Sequence, residues 1–322
     1  MTDDRRLILS VDGGGVRGII PATLLDGLER ATGRPARDTF DFLAGTSAGA
    51  LIVGGLVAGL PAERVASLIG ERADDIVRRR PWSLAARILT GSMYDIGALN
   101  RLIAHELGPE AARWTMNDAP RDLLVTAKRV SDGMPWYFVR DSARNAGRFG
   151  GVSLLDAITA SVAAPTLFAP WRIHGIGELV DGGAGVAGNP VYQACVEAFD
   201  YAEGYDPART TIVSLGTGWF PQRRRPRWLW PWIEWLLSEL FRSPGEQQTE
   251  IVRRHYRAAA FYRLDVRLPR EIGLDAFDAL PELRRIGESF AAEIDWEPIL
   301  AGGESPFRIT DATTLAHQYV TD

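Results

Sequence analysis

The chain has very few of the residues that cross-link proteins or build cysteine-based metal centres. Cys195 is its only cysteine, which excludes a disulfide within the chain and a metal site made of cysteines. Such sparse cysteine usage is typical of proteins from a reducing compartment. Lysine is equally scarce: Lys128 is the only one, and the remaining cationic charge is carried by arginine.

The sequence also lacks a long apolar run. The longest, residues 50–60, has 11 residues and contains three glycines, which is too short to span a bilayer. Residues 1–6 are polar and partly acidic, unlike a secretory signal peptide. We therefore expect a cytoplasmic protein, and the inner membrane surface is the second location that we consider.

An excess of basic charge is missing as well. The formal net charge is -5 at pH 7, and no basic stretch is long enough to follow a polyanion. A nucleic-acid partner is therefore not expected.

Strand-like and helix-like segments alternate along the first two-thirds of the chain. This alternation predicts an α/β fold, a three-layer sandwich with a mainly parallel central sheet flanked by helices. We expect a single domain over residues 1–322, with core motifs in residues 7–220 and a C-terminal helical extension, residues 221–322, packed on the core. The strands expected first are residues 7–11 and 40–44.

Ser47 lies in the pattern Gly-x-Ser-x-Gly, between Gly45 and Gly49. A short apolar run precedes this pattern and an apolar helical stretch follows it, which is the strand–turn–helix context of a nucleophilic serine. Glycines on both sides let the chain reverse sharply and leave the hydroxyl exposed. The start of the following helix would direct its N–H groups at developing negative charge.

A glycine loop, residues 12–18 (Asp-Gly-Gly-Gly-Val-Arg-Gly), follows the first predicted strand. Its spacing satisfies the dinucleotide pattern Gly-x-Gly-x-x-Gly, with Asp38 and Asp41 about twenty residues further on. Three consecutive glycines and Arg17 instead favour an anion hole whose backbone donors line up at a helix start. A tight strand–helix turn without a ligand is the third interpretation. We favour the anion hole, and the other two stay open.

A serine nucleophile needs a nearby base, and two interpretations are open. The order Ser47, Asp181, His255 fits an α/β-hydrolase triad, although His255 stands in a polar helical stretch. Asp181 follows a strand-like run and begins an Asp-Gly-Gly turn. A buried carboxylate there could take the serine proton directly, whereas an Asp before glycines is also common as a simple turn residue.

Taken together, these motifs resemble the patatin-like phospholipases. The resemblance rests on residues 12–18, on Gly45-Thr-Ser47-Ala-Gly49 and on Asp181-Gly182-Gly183, in that order. Three further blocks support it: residues 160–170, 188–190 and 214–218. It covers residues 7 to about 220 well and implies a patatin-type sandwich.

The resemblance implies a serine lipid acyl hydrolase of the phospholipase A type. Ser47 would be the nucleophile and Asp181 the general base, without a catalytic histidine, a metal ion or another cofactor. Gly14, Gly15 and Arg17 would form or support the oxyanion hole, and the other motif glycines are Gly13, Gly18, Gly45, Gly49, Gly182 and Gly183. The expected substrate is a phospholipid or another acyl-ester lipid. The alternatives are an acyltransferase or thioesterase on the same dyad, and a phospholipase effector of bacterial defence that a cyclic nucleotide activates.

A Trp-rich, basic segment follows residue 220. Clustered tryptophans beside arginines are typical of a segment that lies at a lipid interface, and equally of a core helix that covers the sheet. We predict peripheral membrane contact through Trp228, Trp230, Trp232 and Trp235 together with Arg223, Arg224 and Arg225.

Overall fold

The computed structural model describes residues 5–71, 92–145, 149–220, 232 and 245–303. Eight strands form one sheet. In chain order they are β1 (Arg6–Val11), β2 (Phe42–Gly45), β3 (Asp122–Arg129), β4 (Pro135–Val139), β5 (Trp171–Ile173), β6 (Gly177–Asp181), β7 (Thr210–Leu215) and β8 (Ala260–Leu264). Their order across the sheet is β5-β6-β3-β2-β1-β7-β8, with β4 paired to β3.

The sheet is mainly parallel. Neighbouring strands in the series β3-β2-β1-β7-β8 all pair in parallel. Antiparallel pairing is confined to β4 and β6, which both pair with β3, and to β5, which pairs with β6. The predicted α/β sandwich with a mainly parallel sheet is confirmed.

Helices cover both faces of the sheet. They are α1 (Ile19–Thr32), α2 (Ala36–Thr39), α3 (Ala48–Val57), α4 (Ala62–Glu71), α5 (Ile96–Ala111), α6 (Leu154–Val162), α7 (Val191–Val196), α8 (Leu280–Glu293) and α9 (Trp296–Ala301). Residues 245–255 are helical as well. Among these helices, none is both long and apolar enough to cross a membrane.

Alternate residues of the buried strands point to opposite faces, which produces two separate apolar cores. Leu9 and Leu43 belong to the larger core, which α1, α3, α4, α5, α6 and α8 complete. Ile8 and Phe42 belong to the smaller core, which α7 and Val252 of the helix at 245–255 complete. The three layers predicted from the sequence follow from this alternation.

Strand β6 reaches the edge of the sheet at which the parallel strands end, although it runs in the opposite direction. It runs antiparallel to β3, with Asp181 opposite Ala127. Strand β2 ends at Gly45, opposite Val125, so β3 continues beyond the end of β2. Because β6 pairs only with this continuation, its last residue arrives at the carboxyl edge of the parallel strands although the strand itself points the opposite way.

The described residues beyond 245 pack on the core and also extend the sheet. Strand β8 pairs with β7 along its whole length, and α8 packs against α1. The two helices are close: a Cβ atom added at Gly287 would lie 3.1 Å from Cβ of Thr23. This part of the predicted helical extension therefore includes a strand of the central sheet.

Candidate active site

Ser47 occupies a strained turn between β2 and α3. It is the N-cap residue of α3, with φ 53° and ψ -123°, a conformation that residues other than glycine rarely adopt. The flanking glycines permit tight packing here. A Cβ atom at Gly45 would lie 2.4 Å from the carbonyl oxygen of Gly49, and one at Gly49 would lie 2.2 Å from that of Val11. The backbone N–H of Ser47 donates to Oγ of Ser161 at 2.9 Å, which holds the turn from α6.

Asp181 lies beside this serine at the end of β6. Its side chain is buried, with 6% exposed, and Oδ1 accepts a hydrogen bond from the N–H of Gly183 at 2.7 Å. Burial raises the pKa of Asp181 to about 6, and hydrogen bonds from the Ser47 side chain and from Gly183 oppose that rise. The structure therefore brings together a serine hydroxyl and a carboxylate that titrates close to neutral pH.

The loop after Asp181, residues 182–189, joins three parts of the site. Its Ala187 carbonyl accepts a hydrogen bond from Oγ1 of Thr46 at 2.6 Å. Its Gly188 carbonyl accepts one from the N–H of Gly13 at 2.9 Å. At its start Gly182 packs on Thr126, whose Oγ1 would lie 2.3 Å from an added Cβ atom. The turns that carry the serine, the carboxylate and the glycine loop are thus bonded to one another.

The glycine loop presents backbone N–H groups next to Ser47. A Cβ atom at Gly13 would lie 3.2 Å from Cβ of Ser47, so the loop packs on the serine turn. The N–H of Gly13 is bonded to Gly188 and that of Val16 to the Leu274 carbonyl at 2.9 Å. Among the described residues, no acceptor is paired with the N–H groups of Gly14 and Gly15, which lie between them.

Arg17 holds this loop through backbone carbonyls. Its guanidinium donates to the carbonyl oxygens of Gly14 at 3.5 Å and Gly218 at 3.4 Å. Gly18 ends the loop against α3, where an added Cβ atom would lie 2.7 Å from Cβ of Ala48. Gly15 has φ 55°, and a Cβ atom there would lie 2.1 Å from the Leu274 carbonyl oxygen, so the position requires glycine.

Known proteins share this sequence pattern. The family model described as "Patatin-like phospholipase" matches residues 9–195, more than half of the 322 residues. The chain belongs to the patatin-like phospholipase family. A "cGAMP-activated phospholipase" of Escherichia coli (strain TW11681) is 32% identical over 221 residues, covering 66% of this chain and 61% of that relative. "Patatin-like protein 2" of Arabidopsis thaliana is 31% identical over 247 residues, covering 66% of this chain and 59% of that relative.

Among solved structures, VipD from Legionella pneumophila resembles this chain with a TM-score of 0.43 and 12% identity. The match covers 88% of this chain and 67% of VipD. The chain spans about three fifths of the length of the E. coli and Arabidopsis relatives. The resemblance to patatin-like phospholipases inferred from the motifs is confirmed at the level of the family.

The dinucleotide interpretation of the glycine loop fails on geometry. It needs an acidic side chain at the same sheet edge as the loop. Asp41 instead precedes β2, at the opposite edge, and its carboxylate binds Nη1 of Arg6 at 2.7 Å and the N–H of Leu7 at 2.9 Å. Asp38 lies on α2, ahead of Asp41. In this patatin-like chain the two carboxylates belong to the far end of the sheet.

A buried ion-pair network behind the glycine loop was not predicted from the sequence. Nη1 and Nη2 of Arg263 donate to the Asp12 carboxylate, at 2.9 and 2.6 Å, and Nη2 also donates to Asp265 at 3.1 Å. Oδ1 of Asp265 accepts from the N–H of Gly218 at 2.9 Å, the residue whose carbonyl binds Arg17. Burial raises the pKa of Asp12 to about 6 and Arg263 opposes the rise, so this carboxylate is ionised at neutral pH. The one signal in the sequence was Arg263 inside the otherwise uncharged strand β8, with Asp265 directly after the strand.

The histidines that the structure describes, His105, His174 and His255, lie on the surface. His255 is exposed, and its Nδ1 contacts the Ile251 carbonyl of its own helix at 3.3 Å. His105 and His174 are exposed as well, and His317 lies outside the described residues. The partners recorded for the Asp181 carboxylate are Ser47 and Gly183, so the triad order Ser47, Asp181, His255 has no counterpart in these contacts.

Of the predicted membrane segment, the structure describes one residue. Trp232 is helical and 39% exposed. The remaining members of the prediction, Trp228, Trp230, Trp235, Arg223, Arg224 and Arg225, lie outside the described residues. Membrane contact through this segment stays a prediction.

Proposed function

We propose that this chain is a serine lipid acyl hydrolase of the phospholipase A type, acting through Ser47 and Asp181. The observation that carries the proposal is the strained Ser47 turn, whose hydroxyl hydrogen-bonds to a buried carboxylate with a pKa of about 6. A base with a pKa near the working pH combines the required protonation state with sufficient proton affinity. Membership of the patatin-like family supports an acyl-ester lipid as the substrate.

In the first half of the reaction, Oγ of Ser47 attacks the ester carbonyl carbon and its proton passes to the Asp181 carboxylate. The negative charge on the former carbonyl oxygen is stabilised by the free N–H groups of Gly14 and Gly15 and by the start of α3. The bond from carbon to the alcohol oxygen then breaks. Asp181 returns the proton to that oxygen, which leaves as the lysolipid hydroxyl, and the acyl group stays on Ser47.

In the second half, water attacks the acyl-enzyme and gives its proton to Asp181. The tetrahedral intermediate forms in the same anion hole, and its breakdown releases the fatty acid. Asp181 then gives the proton to Oγ of Ser47, so the dyad returns to its starting state. Arg17 supports the anion hole indirectly, since its guanidinium binds loop carbonyls.

The test is release of free fatty acid from mixed phospholipid liposomes by wild type, Ser47→Ala, Asp181→Asn and His255→Ala. We expect the first two variants to lose activity and His255→Ala to keep it. Loss of turnover in His255→Ala with activity retained in Asp181→Asn would refute the dyad. Adding a lysophospholipid acceptor to the same assay separates hydrolysis from acyl transfer, because a transferase would move label to the acceptor.

A ligand-gated form of this activity is the second candidate, since three relatives carry the name "cGAMP-activated phospholipase". The chain spans about three fifths of each of these relatives. Under this alternative, fatty acid release is low in the isolated protein and rises when a cyclic dinucleotide is added. Full activity without any nucleotide, and no change on adding one, would exclude it.

Peripheral membrane contact through the Trp-rich segment remains part of the proposal. Replacing Trp228, Trp230 and Trp232 by Ala should weaken vesicle binding more than hydrolysis of a soluble ester. Equal loss of both, together with lower thermal stability, would mean that the segment belongs to the core.

A further inference from the structure

Large apolar side chains are exposed on two segments at the edge of the sheet that carries Ser47 and Asp181, the β3–β4 hairpin and the loop after Asp181, which are joined by the bond from Lys128 to the Ala184 carbonyl. Val130 is 49% exposed, Met134 56% and Val186 51%. Two other large apolar residues in the described part of the chain are exposed, Tyr201 and Trp232. Single exposed apolar residues are ordinary, but a group of them beside a site indicates an interaction surface. We call Val130, Met134 and Val186 the apolar rim.

The tip of the hairpin between β3 and β4 is the exposed turn at residues 131–133, and Val130 and Met134 flank it on its two sides. The N–H of Val130 donates to the Glu178 carbonyl at 2.9 Å, and the N–H of Arg129 donates to the Met134 carbonyl at 2.9 Å. Asp181 lies opposite Ala127, three residues before Val130 in β3. At about 3.3 Å per residue, the tip therefore projects roughly 10 Å beyond Asp181, outward from the active edge.

Val186 belongs to the loop that joins the parts of the site. The next two residues bind the serine turn and the glycine loop: Ala187 accepts from Thr46 at 2.6 Å and Gly188 from Gly13 at 2.9 Å. The Val186 carbonyl accepts from Nε2 of Gln248 at 3.3 Å. These bonds fix the backbone around Val186 beside the serine turn, and its side chain is exposed there.

The charges close to the rim are largely neutralised. Arg129 pairs with Asp132 and lies over the Trp136 ring at 4.8 Å, while Arg172 pairs with Glu178 at 2.7 Å. Lys128 differs, because its ammonium donates to a neutral group, the Ala184 carbonyl, at 3.0 Å. Two exposed apolar residues stand beside paired charges, and within the described ranges Lys128 has no carboxylate partner. This combination matches a lipid–water interface, where apolar groups enter the acyl region and cations meet phosphates.

We propose that the apolar rim seats the protein on a phospholipid surface, with the turn that carries Ser47 facing the lipid. The inference rests on the proposed lipid acyl hydrolase function, which requires an ester to leave the bilayer and reach Ser47. The rim residues lie on two segments next to the Ser47 and Asp181 turns, the β3–β4 hairpin and the loop that bonds to Thr46. Contact of these residues with the bilayer shortens the distance that the acyl chain must travel through water.

The test is vesicle flotation with equal parts phosphatidylcholine and phosphatidylglycerol, in a Ser47→Ala background so that the lipid is not consumed. Val130→Ser/Met134→Ser should raise the lipid concentration for half-maximal binding about tenfold, because part of the buried apolar area is lost. Val186→Ser should raise it less. The matched control is Tyr201→Ser, an exposed apolar residue outside the rim, which should bind as the parent does.

A second measurement uses the same substitutions with Ser47 intact. Val130→Ser/Met134→Ser should hydrolyse a short-chain soluble ester at the wild-type rate but release fatty acid from vesicles about tenfold more slowly. Unchanged vesicle binding in this variant, no vesicle binding by the parent, or a shift from oligomer to monomer as the sole effect would each overturn the proposal. If the wild type cleaves no ester while the rim variants still lose vesicle binding, the proposed hydrolase function fails and the lipid-facing rim stands.

Discussion

Arg263 binds both carboxylate oxygens of Asp12, at 2.9 and 2.6 Å, across 251 positions of sequence. Asp12 is the residue directly before the three glycines, and its N–H is bonded to the Leu215 carbonyl of β7 at 3.0 Å. Arg263 stands on β8, the strand next to β7. The pair therefore anchors the first residue of the proposed oxyanion loop to the far side of the parallel sheet.

Breaking the Asp12–Arg263 ion pair should lower both the free energy of unfolding and kcat, and the two effects can be measured separately. Arg263→Met leaves Asp12 as a buried unpaired carboxylate, which should cost about 3–5 kcal/mol in the free energy of unfolding. We expect kcat on a soluble ester to fall about 100-fold as Gly14 and Gly15 lose their positions, with KM little changed. Denaturant unfolding and steady-state kinetics measure the two effects.

The double variant Asp12→Asn/Arg263→Met is the control for this prediction. It removes the unpaired charge at Asp12 while Asp265 still lacks Arg263, so part of the stability should return. We expect kcat to stay low because the loop has lost its bidentate ion pair. Arg263→Lys, which keeps the charge and loses the bidentate geometry, should give an intermediate kcat. Recovery of kcat in step with stability in the double variant would show that the pair serves stability alone.

The pKa of Asp181 predicts how activity depends on pH. Burial raises that pKa to about 6, and only the ionised carboxylate can accept the Ser47 proton. On a soluble ester, kcat/KM should therefore be flat above about pH 7 and fall tenfold per pH unit below about pH 6. A profile that stays flat down to pH 4.5, with the protein still folded, would contradict Asp181 as the base.

The raised pKa also means that the ionised form of Asp181 lowers the stability of the folded protein. The folded-state pKa of Asp181, about 6, lies above the ordinary value of 3.8. Between these two pH values the folded protein binds more protons than the unfolded chain, so the contribution of Asp181 to the free energy of unfolding falls as the pH rises from one to the other. Asp181→Asn should therefore be more stable than wild type at pH 7.5, by up to about 3 kcal/mol. The gain should disappear near pH 4. Thermal melts at both pH values check this, and an equal gain at both would mean that ionisation is not the cause.

Several elements were readable from the sequence because their signals are local. The apolar run before Ser47, the two flanking glycines and the helix after them lie within a short stretch, and the structure has β2, the strained turn and α3 there. Asp95 and Ser153 begin α5 and α6 as N-caps, accepting hydrogen bonds from Gly97 and Asp156. Caps and periodicity of this kind depend on neighbours in sequence.

The features that the sequence did not reveal depend on pairing between residues that are far apart in the chain. The pattern around residues 178–180 predicts a strand but carries no information on its direction, and β6 proved antiparallel to β3. The hydrogen bond that the Ser47 N–H donates to Ser161 spans 114 positions of sequence. The ion pair between Asp12 and Arg263 spans 251 positions. Each partner has an ordinary role in its own segment, so only the sheet order of the folded chain brings them together.

Ser161 should act on Ser47 through this hydrogen bond. Ser161→Ala leaves the Ser47 N–H without its acceptor at 2.9 Å, which should cost about 1–3 kcal/mol of stability and lower kcat about tenfold by loosening the strained turn. Thr23→Ala is the matched control, because it removes a buried hydroxyl bonded to the Ile19 carbonyl in α1, away from the site. A similar fall in kcat for both variants would assign the effect to general destabilisation.

Gly49 leaves no room for a side chain in the turn that carries Ser47. A Cβ atom there would lie 2.2 Å from the Val11 carbonyl oxygen and 2.8 Å from that of Asp12, both of them backbone atoms that cannot turn aside. Gly49→Ala should push α3 away from β1, lower the free energy of unfolding by about 3 kcal/mol and abolish measurable turnover, since Ser47 moves with the first turn of the helix. Gly151→Ala, where nothing lies within 4 Å of an added Cβ atom, should match wild type in both thermal melts and ester hydrolysis. Wild-type turnover in Gly49→Ala would mean that the close packing of α3 on β1 is unnecessary for placing Ser47.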